Sequence, residues 1–178
     1  MEVLLISTQF LKDNSVIDSN IDDKIIANTI MFVQESKIQE ILGTNLLNKL
    51  TADAGSGTLT GLYKTLVDDY VRWMLLYYTV AELLEPLQYR ITNKGVVSKD
   101  SESRSNSVSP DLVYKLKDSY IQKGEYYSEK TKRFLIKNYN SLPELINTDI
   151  TEVRPFKDRN TSGILLYNGK KKYYDTHD

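Results

Sequence analysis

Two long apolar stripes constrain this chain more than any other feature. From 62 to 87, Leu62, Leu66, Tyr70, Trp73, Tyr77, Val80, Leu84 and Leu87 recur at three- and four-residue steps, a spacing that only a helix gathers on one face. A second set, Val67, Val71, Met74 and Tyr78, widens that surface, so this helix is expected to be central and touched from more than one side. The other stripe occupies 113–139, with Val113, Leu116, Tyr120, Tyr127, Phe134 and Leu135 on its buried side. Gly124 falls on the same face, where a bare backbone permits close helix approach. Ser109, Pro110 and Asp111 start this helix as cap, first-turn proline and first-turn acid.

The segments around these stripes complete a mainly α fold. The spacing predicts a first long helix over 22–42, entered through NIDD and stopped by Gly43, then a short helix over 44–53 that ends at the loop AGSGT, 54–58. Pro86 marks the end or a kink of the central helix. Arg90–Thr92 and Val96–Ser98 flank Asn93-Lys94-Gly95 as a small β-hairpin or extended insert, followed by a polar serine-rich stretch, so the insert spans about 89–108. The expected architecture is a helical bundle with long antiparallel helices and three parts: an N-terminal extended arm (1–19), a helical core (20–147) and a C-terminal extension (148–178). In that extension Asn168-Gly169 lies between an apolar and a basic-aromatic segment and predicts a β-hairpin. A ribbon of that size is marginal alone, which favours pairing with another strand.

Chemistry is harder to find. His177, the single histidine, sits on a polar terminus without a frame to orient it. Asp22/Asp23 and Asp68/Asp69 are adjacent pairs whose side chains diverge by about 100° on a helix, so capping and solvation explain them better than a metal. The glycine loop 54–58 lacks the lysine-serine/threonine ending of a phosphate loop. Cysteine is absent, which excludes thiolate metal sites, disulfides and a cysteine nucleophile. No catalytic, cofactor-binding or metal residue is assigned, and the expectation is a non-enzyme. A net charge of −1 gives no global pull toward nucleic acid or an anionic membrane, so any such contact is local. Lys170–Lys172 with Tyr173 and Tyr174 form one basic segment; Lys130, Lys132, Arg133 and Lys137 form another that also fits a solvated helix face. MEVLLISTQFLKD lacks the features of a secretory signal and no segment is long enough to span a bilayer, so a soluble, unprocessed protein is expected. The 13 tyrosines suit surfaces wet in one state and buried in another, or simply border the core.

Several short motifs, in order and spacing, carry a resemblance: LISTxxLKD within 4–13, NIDDKII at 20–26, ILGTNLLNKL at 41–50, the tyrosine-rich central helix, and TNKGVV at 92–97. Over roughly 4–140 the chain resembles the head-to-tail connector proteins of tailed bacteriophages, most closely those of the crAss-like group. The resemblance implies a structural virion protein: a ring of twelve subunits at the neck, beneath the portal protein, extending the DNA channel toward the tail. Such a subunit is assembled in the bacterial cytoplasm, meets other neck or tail ring proteins, passes packaged DNA without sequence-specific binding, and touches no membrane. On this reading Ile164, Leu165, Leu166, Tyr167, Lys170, Lys171, Lys172, Tyr173 and Tyr174 contact the portal or a neighbouring ring. Thr92, Asn93, Lys94, Gly95, Val96 and Val97 make a second contact between subunits. The alternative from a different class is a small DNA-binding or regulatory protein using the basic C-terminal hairpin.

Overall fold

A computed structural model of the chain describes residues 3–92, 95–98, 110–145 and 155, with side chains for 3–87, 111–145 and 155. The described chain is mainly helical: α1 Thr8–Asn14, α2 Asp23–Val33, α3 Gln39–Leu42, α4 Thr44–Ser56, α5 Gly61–Leu66, α6 Arg72–Gln88 and α7 Pro110–Lys137. Two π-helical turns, Gln34–Ile38 and Val67–Val71, join α2 to α3 and α5 to α6, so each pair forms one continuous rod. The expectation of plain α-helices there is corrected. Each π turn inserts a residue and rotates the apolar face, which is why Leu66 and Val71, five residues apart, are both fully buried.

The α5–α6 rod is the centre of the molecule. Met74, Leu75 and Leu76 in succession have no exposed surface, and a helix buried on nearly all sides must be contacted all round. α2 covers one side of α6 and α7 runs antiparallel along another. Gly124 of α7 meets Tyr78 so closely that an added Cβ would lie 2.7 Å from the ring, which confirms the close approach expected from its missing side chain. Pro86 lies inside α6, which continues to Gln88. Past it, the backbones of β1 Tyr89–Thr92 and β2 Gly95–Ser98 pair antiparallel with Tyr89 opposite Ser98 and Thr92 opposite Gly95.

Three expectations fail, two of them for a tertiary reason. The N-terminal residues are no extended arm. Thr8–Asn14 is helical, with Ser7 accepting from the Phe10 N–H at 3.0 Å, and Leu5, Ile6, Leu11 and Ile17 are buried in the shared core. Leu116, placed on the buried side of the last helix, is 45% exposed, because its neighbour Lys117 takes the position facing α6 and pairs there with Glu85. The helix expected over 44–53 runs on to Ser56, and Gly57 at φ +70° supplies the stop. Gly43 does act as the expected stop: at φ +76° it closes α3 and opens α4.

The first π turn also performs a local task. Gln34, 6% exposed, turns its carboxamide toward the N-terminal segment, accepting from the Leu5 N–H at 3.0 Å and donating to the Val3 carbonyl at 3.1 Å. Gln34→Ala leaves both backbone groups without those partners, a loss of about 1–3 kcal/mol. The expected result is a lower Tm with faster amide exchange at residues 3–7. Unchanged exchange there would rule out the clamp.

Candidate functional site

The residues assigned to contacts from sequence are only in part placed. Ile164–Tyr167 and Lys170–Tyr174 lie outside the described residues, as does His177. Thr92, Gly95, Val96 and Val97 belong to the paired backbone of β1 and β2, and Asn93 and Lys94 lie outside the described residues. Of the four acids in the adjacent pairs, three have structural partners. Asp22 accepts from the Lys24 N–H at the start of α2, and Lys12, 2.8 Å from Asp23, holds that carboxyl below the usual carboxylate range. Asp68 bridges Lys64 at 2.7 Å and Arg72 at 3.1 Å along its own helix. Among the described residues no group of three or more His, Cys, Asp or Glu gathers as metal ligands would, and no helix is long and apolar enough to cross a membrane.

What the fold does assemble is a surface along α7. A row of rings crosses the α6–α7 seam: Phe10 and Trp73 at 5.8 Å, Trp73 and Tyr127 at 6.3 Å, Tyr127 and Tyr77 at 5.6 Å, Tyr77 and Tyr120 at 6.3 Å. Tyr70 and Phe134 add a pair at 4.6 Å. Cations border the row. Lys123 stands 4.7 Å from the Tyr120 ring centre, Lys130 stands 5.2 Å from Tyr127 and 5.6 Å from Tyr126, and Arg72 stands 4.3 Å from Phe10. Each such contact contributes about 0.5–1 kcal/mol at an exposed site, and all hold a cation at the surface with its lower side occupied. Tyr126 is 61% exposed, and Leu112, Tyr114 and Ile136 on the same helix are also more than half exposed.

At about 100° per residue, the outer half of α7 separates by charge. Lys115, Lys123, Lys130, Arg133 and Lys137 share one flank with Tyr126. Asp111, Asp118, Glu125 and Glu129 share the other, roughly a quarter-turn away. Among the described residues the five cations make no salt bridge, and on the acidic flank only Glu129 does, with Lys132 at 2.6 Å. Lys117, nearer the core, is used inside the fold: it reaches Glu85 at 2.7 Å, and that hydrogen bond raises its pKa. The sequence pattern marks Lys130, Arg133 and Lys137 as one wet face. It does not disclose that both flanks face water, because that depends on the core-facing direction.

Two tyrosines, Tyr78 beside the seam and Tyr63 of α5, are held in their neutral form. Tyr78 is pushed up to about 12, first by burial and then by Glu125, with Glu129 and Glu40 acting in the same direction. Tyr63 is pushed up to about 12 by burial and by Glu144, whose carboxylate accepts its hydroxyl at 2.9 and 3.1 Å. The folded state therefore holds both phenolic protons more tightly than the unfolded chain, whose tyrosines titrate near 10.0. Stability is intact below pH 10 and falls as pH rises from there toward 12. Thermal melts across that window are expected to show a falling Tm, and Tyr63→Phe or Tyr78→Phe each flattens part of the fall. A Tm independent of pH there would contradict the burial of these hydroxyls.

Residues 38–154 match the family model described as a family of unknown function, DUF6712. The span takes in α4, the central rod and α7 and leaves out α1 and α2. No curated protein and no solved structure matches the chain.

Proposed function

We propose that this chain, which belongs to the DUF6712 family of unknown function, is a structural subunit of a phage head-to-tail connector: a ring beneath the portal that extends the DNA channel toward the tail. The observation that carries the reading is α7, which packs its inner side on a largely buried central helix while leaving Leu112, Tyr114, Tyr126 and Ile136 exposed. A rigid helix that presents large apolar side chains to water is suited to packing against another subunit. The resemblance of the motifs over 4–140 to those of connector proteins supplies the kind of assembly.

Because 3–17 is folded into the core, the contacts fall to the helical body, the β1–β2 insert and the C-terminal extension. The helices pack subunit on subunit. The insert at 89–98 makes a second contact, and the segment 163–174, expected from its sequence to pair as strand, adds to a sheet of the portal or of an adjoining ring. The role is mechanical, with no turnover and no cofactor; the protein resides at the portal vertex of the virion, with twelve copies around DNA that passes without sequence-specific contact. Electron micrographs of the purified chain, with and without a portal ring, test this. Rings that dock coaxially on the portal are the expected result, and a single particle that never associates under any virion-like condition overturns it. Truncation after Asn147 with portal binding retained would remove the role of the tail.

The cations of α7 that lack an acidic partner among the described residues favour one other reading, a small DNA-binding or regulatory protein. Salt-sensitive DNA binding by the isolated monomer supports that reading, and concentration-dependent rings with weak DNA affinity support the connector.

A further inference from the structure

We infer that the two charged flanks of α7 are the two halves of one subunit contact, the basic flank of each copy meeting the acidic flank of the next. This rests on the ring reading above and adds which surfaces meet and in what register. The partner is a second copy of this chain. A polyanion would be drawn to Lys123, Lys130 and Arg133 but would meet Glu125 and Glu129 a quarter-turn away on the same helix. A copy of the chain satisfies both sides at once.

The separation also restricts the symmetry. In a two-fold contact through one flank alone, that flank meets its own equivalent, which sets lysine against lysine or glutamate against glutamate, and a parallel two-fold contact centred between the flanks pairs basic with acidic but closes as a dimer, which the ring reading excludes. In a head-to-tail contact, basic meets acidic at every joint. With α7 set along the ring axis, cyclic symmetry, which has no translation along that axis, stands neighbouring α7 helices parallel at equal height. Lys115 then lies near the level of Asp118 of the next copy, Lys123 near Glu125 and Lys130 near Glu129. At 1.5 Å of rise per residue the axial offsets are about 4.5, 3 and 1.5 Å, within reach of lysine side chains. Tyr126, exposed among the cations, lies at the same level to stack on the arriving helix.

Two variants test this, Lys123→Glu/Lys130→Glu and Glu125→Lys/Glu129→Lys, compared with the parent by sedimentation velocity. Each variant alone opposes like charges at every joint, and the concentration needed for assembly is expected to rise by about tenfold or more. An equimolar mixture is expected to assemble again, because the doubly acidic copy and the doubly basic copy can alternate around the ring. Recovery in the mixture also shows that both variants are folded. Parent rings together with variants that assemble as well as the parent would overturn the inference and leave the ring reading standing. The inference falls in the same way if the first variant keeps its rings and loses only salt-sensitive DNA retention, which makes the basic flank a polyanion surface, or if mixing fails to restore assembly. A parent that never associates overturns the inference and the ring reading together.

Discussion

Gly124→Val is expected to lower Tm by about 6–12 °C, the shift that about 3 kcal/mol produces in a chain of this size. The cause is local. A Cβ at Gly124 would stand 2.7 Å from two atoms of the Tyr78 ring and 3.0 Å from Cγ, so the base of the ring would have to move as well as its tip. Tyr78, half-buried and packed against the core cluster, has limited room to retreat. Gly124→Ala separates the opposing terms. It gains about 1 kcal/mol of helix propensity and loses about 1–3 kcal/mol to overpacking, and the rigidity of the ring base makes the loss the larger. Tyr78→Ala combined with Gly124→Ala should cost less than the sum of the two single changes, because removing the ring vacates the space that the added methyl fills. Strict additivity in thermal or denaturant unfolding, or a Gly124→Ala chain more stable than the parent, would contradict a collision at this site. The change also bears on assembly, since α7 carries the charged flanks and its distance from α6 sets where they stand.

Gly43→Val is expected to be as damaging by a different route. At φ +76° and ψ 160° the backbone lies in a region open essentially to glycine alone, which costs other residues about 1–3 kcal/mol. A Cβ there would also fall 2.6 Å from the backbone nitrogen and Cδ of Pro155, so the strain adds to a collision with an unyielding ring. The two terms together point to about 3 kcal/mol or more. Gly57→Ala is the informative control. It also sits at positive φ, +70°, though at ψ 18° in the left-handed helical well that costs other residues less, and nothing lies within 4 Å of its added Cβ, so only this smaller conformational term remains. Equal losses at Gly43 and Gly57 in urea unfolding would show that Pro155 contributes nothing.

Local signals in the chain specify the long helices and the stop at Gly43. The three- and four-residue steps of 62–87 and 113–139, the Ser-Pro-Asp start at 109–111 and the glycine at 43 are local signals, set by backbone geometry and by the side chain's own preference, so no partner is needed to interpret them. Even the close approach at Gly124 was legible, because a glycine within an apolar helix face costs helix propensity and packing is the ordinary compensation. Tertiary structure decided what depends on a second segment. Residues 3–17 fill the core with a helix among them because Gln34, 29 positions from Leu5, satisfies the backbone of their first residues and the central cluster accepts Leu5, Ile6 and Leu11. Leu116 is exposed because Lys117 faces α6 and finds Glu85 there, a fact about another helix. The π turns at 34–38 and 67–71 rotate the faces after them, and a sequence window assumes a constant period. The charge separation on α7 lies between the two classes: the helical angles that part the acids from the bases, about a quarter-turn, are written in the chain, and packing on α6 decides that both flanks face water.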